Sequence, residues 1–429
     1  MARFLPPQVN LEHLKNEAKD LLKSHAKGDA AVCDTFRRLA RFSQADDRQI
    51  LSASIKLTEA QYALAMDYGF ISWEQLRKTV LAHQPLEGSQ SPPQHGALFL
   101  PKASPAACKG SNRFPSGLHL ALSCCGVECD YDTVAGDSGM AFIIQADSLH
   151  TAWGAKRKEL DIGFWPVDFW GALLRLDFLG QVYGHPLRAM LEHEQEYAAD
   201  EAGHFRKYFQ EAVVQSLRDG RPVLALEQDM YVVTGFDGGN PPLLGQLSCS
   251  DVAETKRMNR YPWTVVVMDE ATAPMDRAAA DIEAINFAIK LHHDQFGANL
   301  PGKFSGKGAF ALWTRMLRDA EMCGPNFYHA NVMGHLKRAR RSVPSYLRQM
   351  VSRHGNAATH LLAAAEVYEQ EVTELSKANT SKEAFANAAG REALAHLADE
   401  AAIMEGQAVA ELEKAYNQMS AAHRGGTEL

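Results

Sequence analysis

Residues 115–142 read PSGLHLALSCCGVECDYDTVAGDSGMAF, and the pattern of this stretch decides the fold. Leu118, Ala121, Leu122 and Cys125 recur at helical spacing and make one apolar face. Pro115 suits a first helical turn, where a missing N–H costs nothing. Gly126 then marks a turn, and VAGDSGMAF reads as a Gly-rich loop in which Gly136 and Gly139 permit backbone angles closed to other residues. A buried helix feeding such a loop suggests the floor of a pocket, so the rest of the chain is placed around it.

At 429 residues the chain exceeds one ordinary core, and two or three domains are expected. Its 46% hydrophobic and 22% charged residues are those of a globular protein in water. A formal charge of −8 gives no global attraction to nucleic acid or anionic lipid. No run of eighteen apolar residues reads as a membrane span, and MARFLPPQVN lacks the apolar core of a secretory signal. The seven cysteines are odd in number, scattered, and without a C-x-x-C pair. That pattern points to reduced thiols in the cytoplasm and argues against a structural zinc site. No cofactor motif stands out.

Taken in order, residues 1–84 form a helical module. Leu11, Leu14, Ala18, Leu21 and Leu22 make an apolar stripe that Gly28-Asp29 ends. A second helix is expected over 30–42, a third after Thr58, and a last one behind Ser72 as N-cap. Residues 85–109 carry Pro85, Pro92, Pro93, Pro101 and Pro105 and read as a linker. An α/β core, of the α+β kind, is expected over 110–274. It has an aromatic stretch with Trp153, Phe164, Trp165, Phe169 and Trp170, then a helix from Phe205 to Leu217. VLALE, YVVTGF and WTVVVMDE follow as strands about ten residues apart, which fits an antiparallel sheet packed on a helix. Residues 275–429 read as a helical bundle, with separate helices beginning at Asp276, Gly308, Pro344, Ala357 and Ala384. Its Ala-rich runs suit a tight antiparallel pair.

Two resemblances bear on function. The segments LEHLKNEAKDLLKSH and LTEAQYALAMDYGFISWEQLRKTV resemble a helical module at the N-terminus of many bacterial proteins, including ankyrin-repeat ones, and this implies no chemistry. The segments SGLHLALSCCGVECDYDTVAGDSGMAF, SLRDGRPVLAL and YVVTGFDG, with GKFSGKGAFALWTRML and LLAAAEVYEQ, resemble the papain-like fold of double-glycine leader peptidases. They are closer still to the butirosin-type aminoglycoside acyltransferases of specialised metabolism. The resemblance covers about residues 110–375 and implies a cysteine at the start of the opening helix with a histidine on the strand before the Gly-Phe-Asp turn. Here the nucleophile slot holds Arg113, Phe114, Pro115 and Ser116, and the histidine slot falls on Asp229 or Met230. Asp237 matches the aspartate of the turn.

With both slots empty, the favoured expectation is a degenerate papain-like protein that binds a small molecule or peptide without cysteine-protease chemistry. The alternative is an acyl- or amide-transfer enzyme with relocated catalytic groups. The ligand site is expected at Arg113, Ser116, Ser138, Asp229 and Asp237, where the helix start and Arg113 suit a carboxylate or phosphate. Other groups read as structural. Ser116 suits a first-turn serine, His119 a satisfied histidine, and Cys124 and Cys125 buried thiols, while Cys108 could be a surface thiol. The run from Glu192 to His204 reads as a solvated face that could hold a divalent ion. His292-His293-Asp294 reads as a helix end, and Lys337-Arg338-Ala339-Arg340-Arg341 as solvated surface. GDSG at 136–139 resembles a trypsin-like nucleophile motif, but no upstream His motif accompanies it.

Overall fold

The computed structural model describes residues 11–42, 45–67, 73, 76–77, 98–100, 112–147, 175–227, 229–249, 254–295, 303–320 and 326–426. The chain divides into two compact units, Met1–Gln94 and His95–Leu429. Cys108, the aromatic stretch from Trp153 to Trp170 and the helix behind Ser72 lie outside the described residues.

In the first unit, Leu11–Ala26 and Leu57–Asp67 are helices, and Leu14, Ala18, Leu64 and Ala65 are wholly buried together. The single helix expected over 30–42 is broken into short pieces, Ala30–Val32, Cys33–Phe36 and Ala40–Phe42. Val32, Cys33, Phe36, Leu39 and Phe42 all turn into one core. Asp46 opens the next helix with a reciprocal capping box to Gln49.

The second unit is α+β. Strands β1 (Leu98–Phe99), β3 (Leu187–Leu191), β4 (Val223–Leu226), β5 (Met230–Phe236), β6 (Leu243–Leu247), β7 (Lys256–Arg257) and β8 (Thr264–Met268) form one antiparallel sheet. The order is β3–β8–β4–β5–β6–β7, and β1 continues along the edge of β5 beyond β4. β2 (Gln145–Asp147) pairs with β9 (Lys303–Ser305) as a separate ribbon. Period-two alternation explains why the central strands are apolar throughout. Leu224, Leu226, Met230, Val232, Val266 and Met268 enter the core under the opening helix. Their neighbours Val223, Ala225, Tyr231, Val233, Val265 and Val267 pack against Phe205, Phe209 and Val213 on the other face. The helix expected over 205–217 is two helices, Glu201–Tyr208 and Gln210–Arg218, meeting at Phe209.

The opening helix runs Arg113–Cys124, and a Cβ on Gly117 would lie 2.9 Å from the Met230 sulfur, so glycine sets how closely helix and sheet approach. Gly126, at φ +77°, makes the following turn. Of the Gly-rich loop, Val134–Asp137 is instead the end of a helix, Tyr131–Asp137, with Asp130 as N-cap; Ser138–Phe142 is turn, with Gly139 at φ +76°. The two glycines make room for aromatic rings. A Cβ on Gly136 would sit 2.4 Å from the ring of Tyr346, and one on Gly139 2.3 Å from Phe287.

The C-terminal helices are not a separate layer. Residues 114–142 share one buried cluster with Ile282, Ile285, Tyr346, Leu361, Tyr368 and Leu412, so ranges 110–274 and 275–429 have a common core. Pro344 does not start a helix but lies inside Asn326–Val351. Bonds between Asn356 and Gln418 and between His360 and Glu411 show that Ala358–Leu375 runs antiparallel to Ala388–Gly426.

Candidate functional site

The opening helix begins where β5 begins. Arg113 and Asp229 form an ion pair at 3.1 Å, with Arg113 about a quarter and Asp229 about half exposed. Ser116 is wholly buried in the first turn, its N–H donating to the carbonyl of Asn112 at 3.1 Å. Asn112 is the N-cap residue, but its side chain makes no capping bond. Its backbone N–H donates to the Tyr131 hydroxyl at 2.8 Å. Both polar atoms of its carboxamide are buried without a hydrogen-bond partner. An unpaired buried amide costs about 1–3 kcal/mol, so this side chain is held at a price in stability.

The other two expected site residues are engaged elsewhere. Ser138 is buried, donates to the Ala135 carbonyl at 3.0 Å and accepts from the Met140 N–H at 3.3 Å, which makes it a turn staple. Asp237 lies beyond the far end of β5. At about 3.3 Å per residue, the strand puts it roughly 25 Å from Asp229. There it accepts from Gly239 N–H at 2.8 Å and takes a two-pronged bond from Arg257 at 2.7 and 2.6 Å. The Arg257 side chain first, and the Gly239 N–H, hold the Asp237 carboxyl below the usual carboxylate range against the opposing effect of burial.

The principal buried charge centre is one that the sequence reading passed over. Asp137, between Gly136 and Ser138, is wholly buried. It accepts from Tyr183 and Tyr346 hydroxyls at 2.8 Å each and from Arg277 at 2.7 and 2.6 Å. Arg277 also binds Asp281 one turn along its helix, at 2.7 Å. Asp281 in turn accepts from Arg353 at 2.7 Å and bonds His354 at 3.0 Å. Burial pushes the Asp281 carboxyl up, but His354, Arg353 and Arg277 together hold it below its ordinary value. Burial keeps both phenols far above the usual tyrosine range, and the Asp137 charge adds to this. The phenols are therefore donors here. With four bonds on Asp137, the geometry is that of a clamp that ties it to three other segments. The sequence signal was a glycine beside an aspartate, with Arg277 and Asp281 four residues apart.

Among the described residues, Cys125 and Cys129 beside the opening helix are not set up as nucleophiles. Burial first, then Asp130 and Asp137, push the Cys129 thiol up to about 12, and burial raises Cys125. Low thiolate content means low reactivity. His119 bonds the Cys129 carbonyl through Nε2 at 3.0 Å, which fixes it as a structural histidine. In the Glu192–His204 run, Glu196 is bound by Lys207 and Tyr208, and His204 is buried with Nε2 accepting the His193 N–H at 2.9 Å. Among the described residues no three His, Cys, Asp or Glu side chains are grouped to hold a metal ion. The basic run is not all surface. Arg340 is wholly buried, bound to Glu405 and donating to the Ala141 carbonyl at 2.8 Å. A groove of about 590 Å³ lies between the last two long helices, lined by Glu366, Glu369, Glu374, Glu400 and Ile403. It shares no residue with the helix start, where the polar groups converge, so its size does not make it the site. No helix among the described residues is long and apolar enough to cross a membrane.

Compared with known proteins, the chain matches no family model, no curated protein and no solved structure.

Proposed function

We propose that this chain binds a small molecule or peptide bearing a carboxylate at the start of the helix Arg113–Cys124, on a papain-like core without the thiol–imidazole pair. The observation that carries this reading is the Asn112 carboxamide, buried and unpartnered at the helix start beside the Arg113–Asp229 pair. Free N–H groups and the helix dipole favour a negative oxygen there, and Asn112 can supply both a donor and an acceptor. Asp229 already balances Arg113, so a ligand carboxylate would share or displace that pair. A transfer enzyme would need a nucleophile within reach of a base. The described residues offer a buried Ser116 and a His119 committed to a carbonyl. The thiols Cys33, Cys125 and Cys129, which form no disulfide, suit a cytoplasmic protein.

A thermal-shift comparison of N-acetylglycine and glycylglycine with their amides tests this. The acids are expected to raise the melting temperature and the amides not. Asn112→Ala and Arg113→Ala should each weaken binding about tenfold, the scale of one charged hydrogen bond. Equal effects of acids and amides, or native affinity in both variants, would show the reading to be wrong.

A further inference from the structure

Arg175 stands one residue before the helix Leu176–Tyr183 and is 4% exposed. Its guanidinium lies 3.8 Å from the ring centre of Phe178 and 4.2 Å from that of Phe287. Contacts with two aromatic rings stabilise the charge but supply no hydrogen-bond acceptor for the N–H groups. Among the described residues those N–H groups have no hydrogen bond and no ion pair, although every neighbouring cation has one. Asp137 and Asp281 are the buried carboxylates of this region, and Arg277 and Arg353 already hold them. Asp137 and Glu283 act on Arg175 only at a distance, without a bond to it, and Glu283 is itself exposed. The region thus holds three arginines against two buried aspartates, and Arg175 is the cation left over. Burying a cation without a counter-charge is costly, and a protein keeps one where an anion completes it.

We propose that Arg175 is the cation of a second binding site, which takes a small oxyanion, a carboxylate or a phosphate, on the edge of its guanidinium. The planar fork matches either anion through two parallel N–H bonds, and Phe178 and Phe287 hold it in one orientation. Burial lowers the Arg175 proton affinity to about 10, which still leaves it charged at neutral pH. This site is independent of the one at Asn112 and Arg113, because no residue is shared.

The test is calorimetric titration of the full chain with inorganic phosphate and, separately, with acetate, each against chloride at matched ionic strength. One of the two is expected to bind and, at about a hundredfold over its Kd, to raise the melting temperature by roughly 5 °C. The anion that binds identifies the class. Made in the Arg113→Ala background, so that a carboxylate at the first site does not enter the reading, Arg175→Lys keeps the charge but not the fork and should weaken binding at least tenfold; Arg175→Met should abolish it. Arg113→Ala should leave it unchanged, which separates this site from the first. Arg348→Met, which breaks an exposed pair with Glu369, controls for general charge effects and should also leave it unchanged. Binding of neither anion, or binding that persists in Arg175→Lys, overturns the proposal. Should Arg175→Met fail to fold, the lysine variant decides alone.

Discussion

Arg340 shows how one residue can reverse its sequence reading. It sits in a run of four basic residues, yet it is wholly buried between Glu405, which it binds, and Glu371, 3.8 Å away. One cation cannot neutralise two buried carboxylates. Burial, and then the Glu405 charge, push Glu371 far above the ordinary glutamate range, so the shared proton sits on Glu371. Two outcomes follow, both read by urea denaturation. Glu371→Gln replaces a protonated carboxyl by a neutral group of the same shape and should cost under about 1 kcal/mol. Arg340→Met leaves Glu405 without its partner and should cost about 3–5 kcal/mol. A larger loss in Glu371→Gln than in Arg340→Met would mean that Glu371 is the ionised member. Gly136 offers a second check at this scale. An alanine there meets the Tyr346 ring at 2.4 Å, so Gly136→Ala should cost about 1–3 kcal/mol by overpacking, and more if the Tyr346–Asp137 bond breaks with it.

Among the elements, those fixed by local pattern were legible and those fixed by partners were not. The strands at 223–226, 230–236 and 264–268 announce themselves through apolar runs bounded by Asp219-Gly220 and Asp237-Gly238. The helix Arg277–His292 follows from its Asp276 cap, which accepts from Ala279 N–H at 2.9 Å. VAGDSGMAF reads as a loop because its glycines suggest turns, and 138–142 is one, whereas Gly136 lies in a helix and is required by a ring from a helix two hundred residues away. Pro344 reads as a helix start by local rule, but tertiary packing carries the helix through it. Of the candidate site, Arg113 and Asp229, expected together, form an ion pair. The separation of Asp237 required the extended strand, and Asp137 required its distant partners.

The helix Glu201–Tyr208 also makes a prediction about pH. Burial, and then His193, push the His204 imidazole down to about 4, and burial with His293 does the same to His292. An unfolded histidine takes its proton near 6.5, so between about pH 6.5 and pH 4 the unfolded chain binds more protons than the folded one. This stabilising contribution is present in full above pH 6.5 and is lost as pH falls towards 4. Melting temperature should therefore drop across that window, and His204→Gln and His292→Gln should each flatten the slope. Slopes unchanged from the native chain in both variants would show that these imidazoles are not the groups responsible.

For the whole molecule, the boundary at Gln94 and His95 matters more than the proline-rich run suggests. A linker reading places a clean start near Lys102, but β1, Leu98–Phe99, already belongs to the sheet. Leu98 pairs with Phe236 and Phe99 with Gly235, and the Leu100 N–H donates to the Thr234 carbonyl at 2.7 Å. Removing β1 strips β5 of these bonds and uncovers Phe236, which is 6% exposed in the folded unit. The backbone bonds of this edge, at about 0.5–1.5 kcal/mol each, with the cover that Leu100 gives the sheet core, amount to a few kcal/mol. A chain beginning at His95 should therefore unfold cooperatively, with a single calorimetric transition, while one beginning at Lys102 should melt lower or aggregate. The same logic predicts that residues 275–429 cannot fold alone. Their Tyr346, Leu361, Tyr368 and Leu412 are buried against Phe114, Leu118, Val134 and Phe142 in one cluster, and Asp137 binds both Arg277 and Tyr346. An isolated 275–429 fragment should retain helical circular dichroism but show no cooperative melting. A sharp transition in that fragment at the temperature of the His95 chain would mean that the helices form a domain of their own and that the shared core contributes little to their stability.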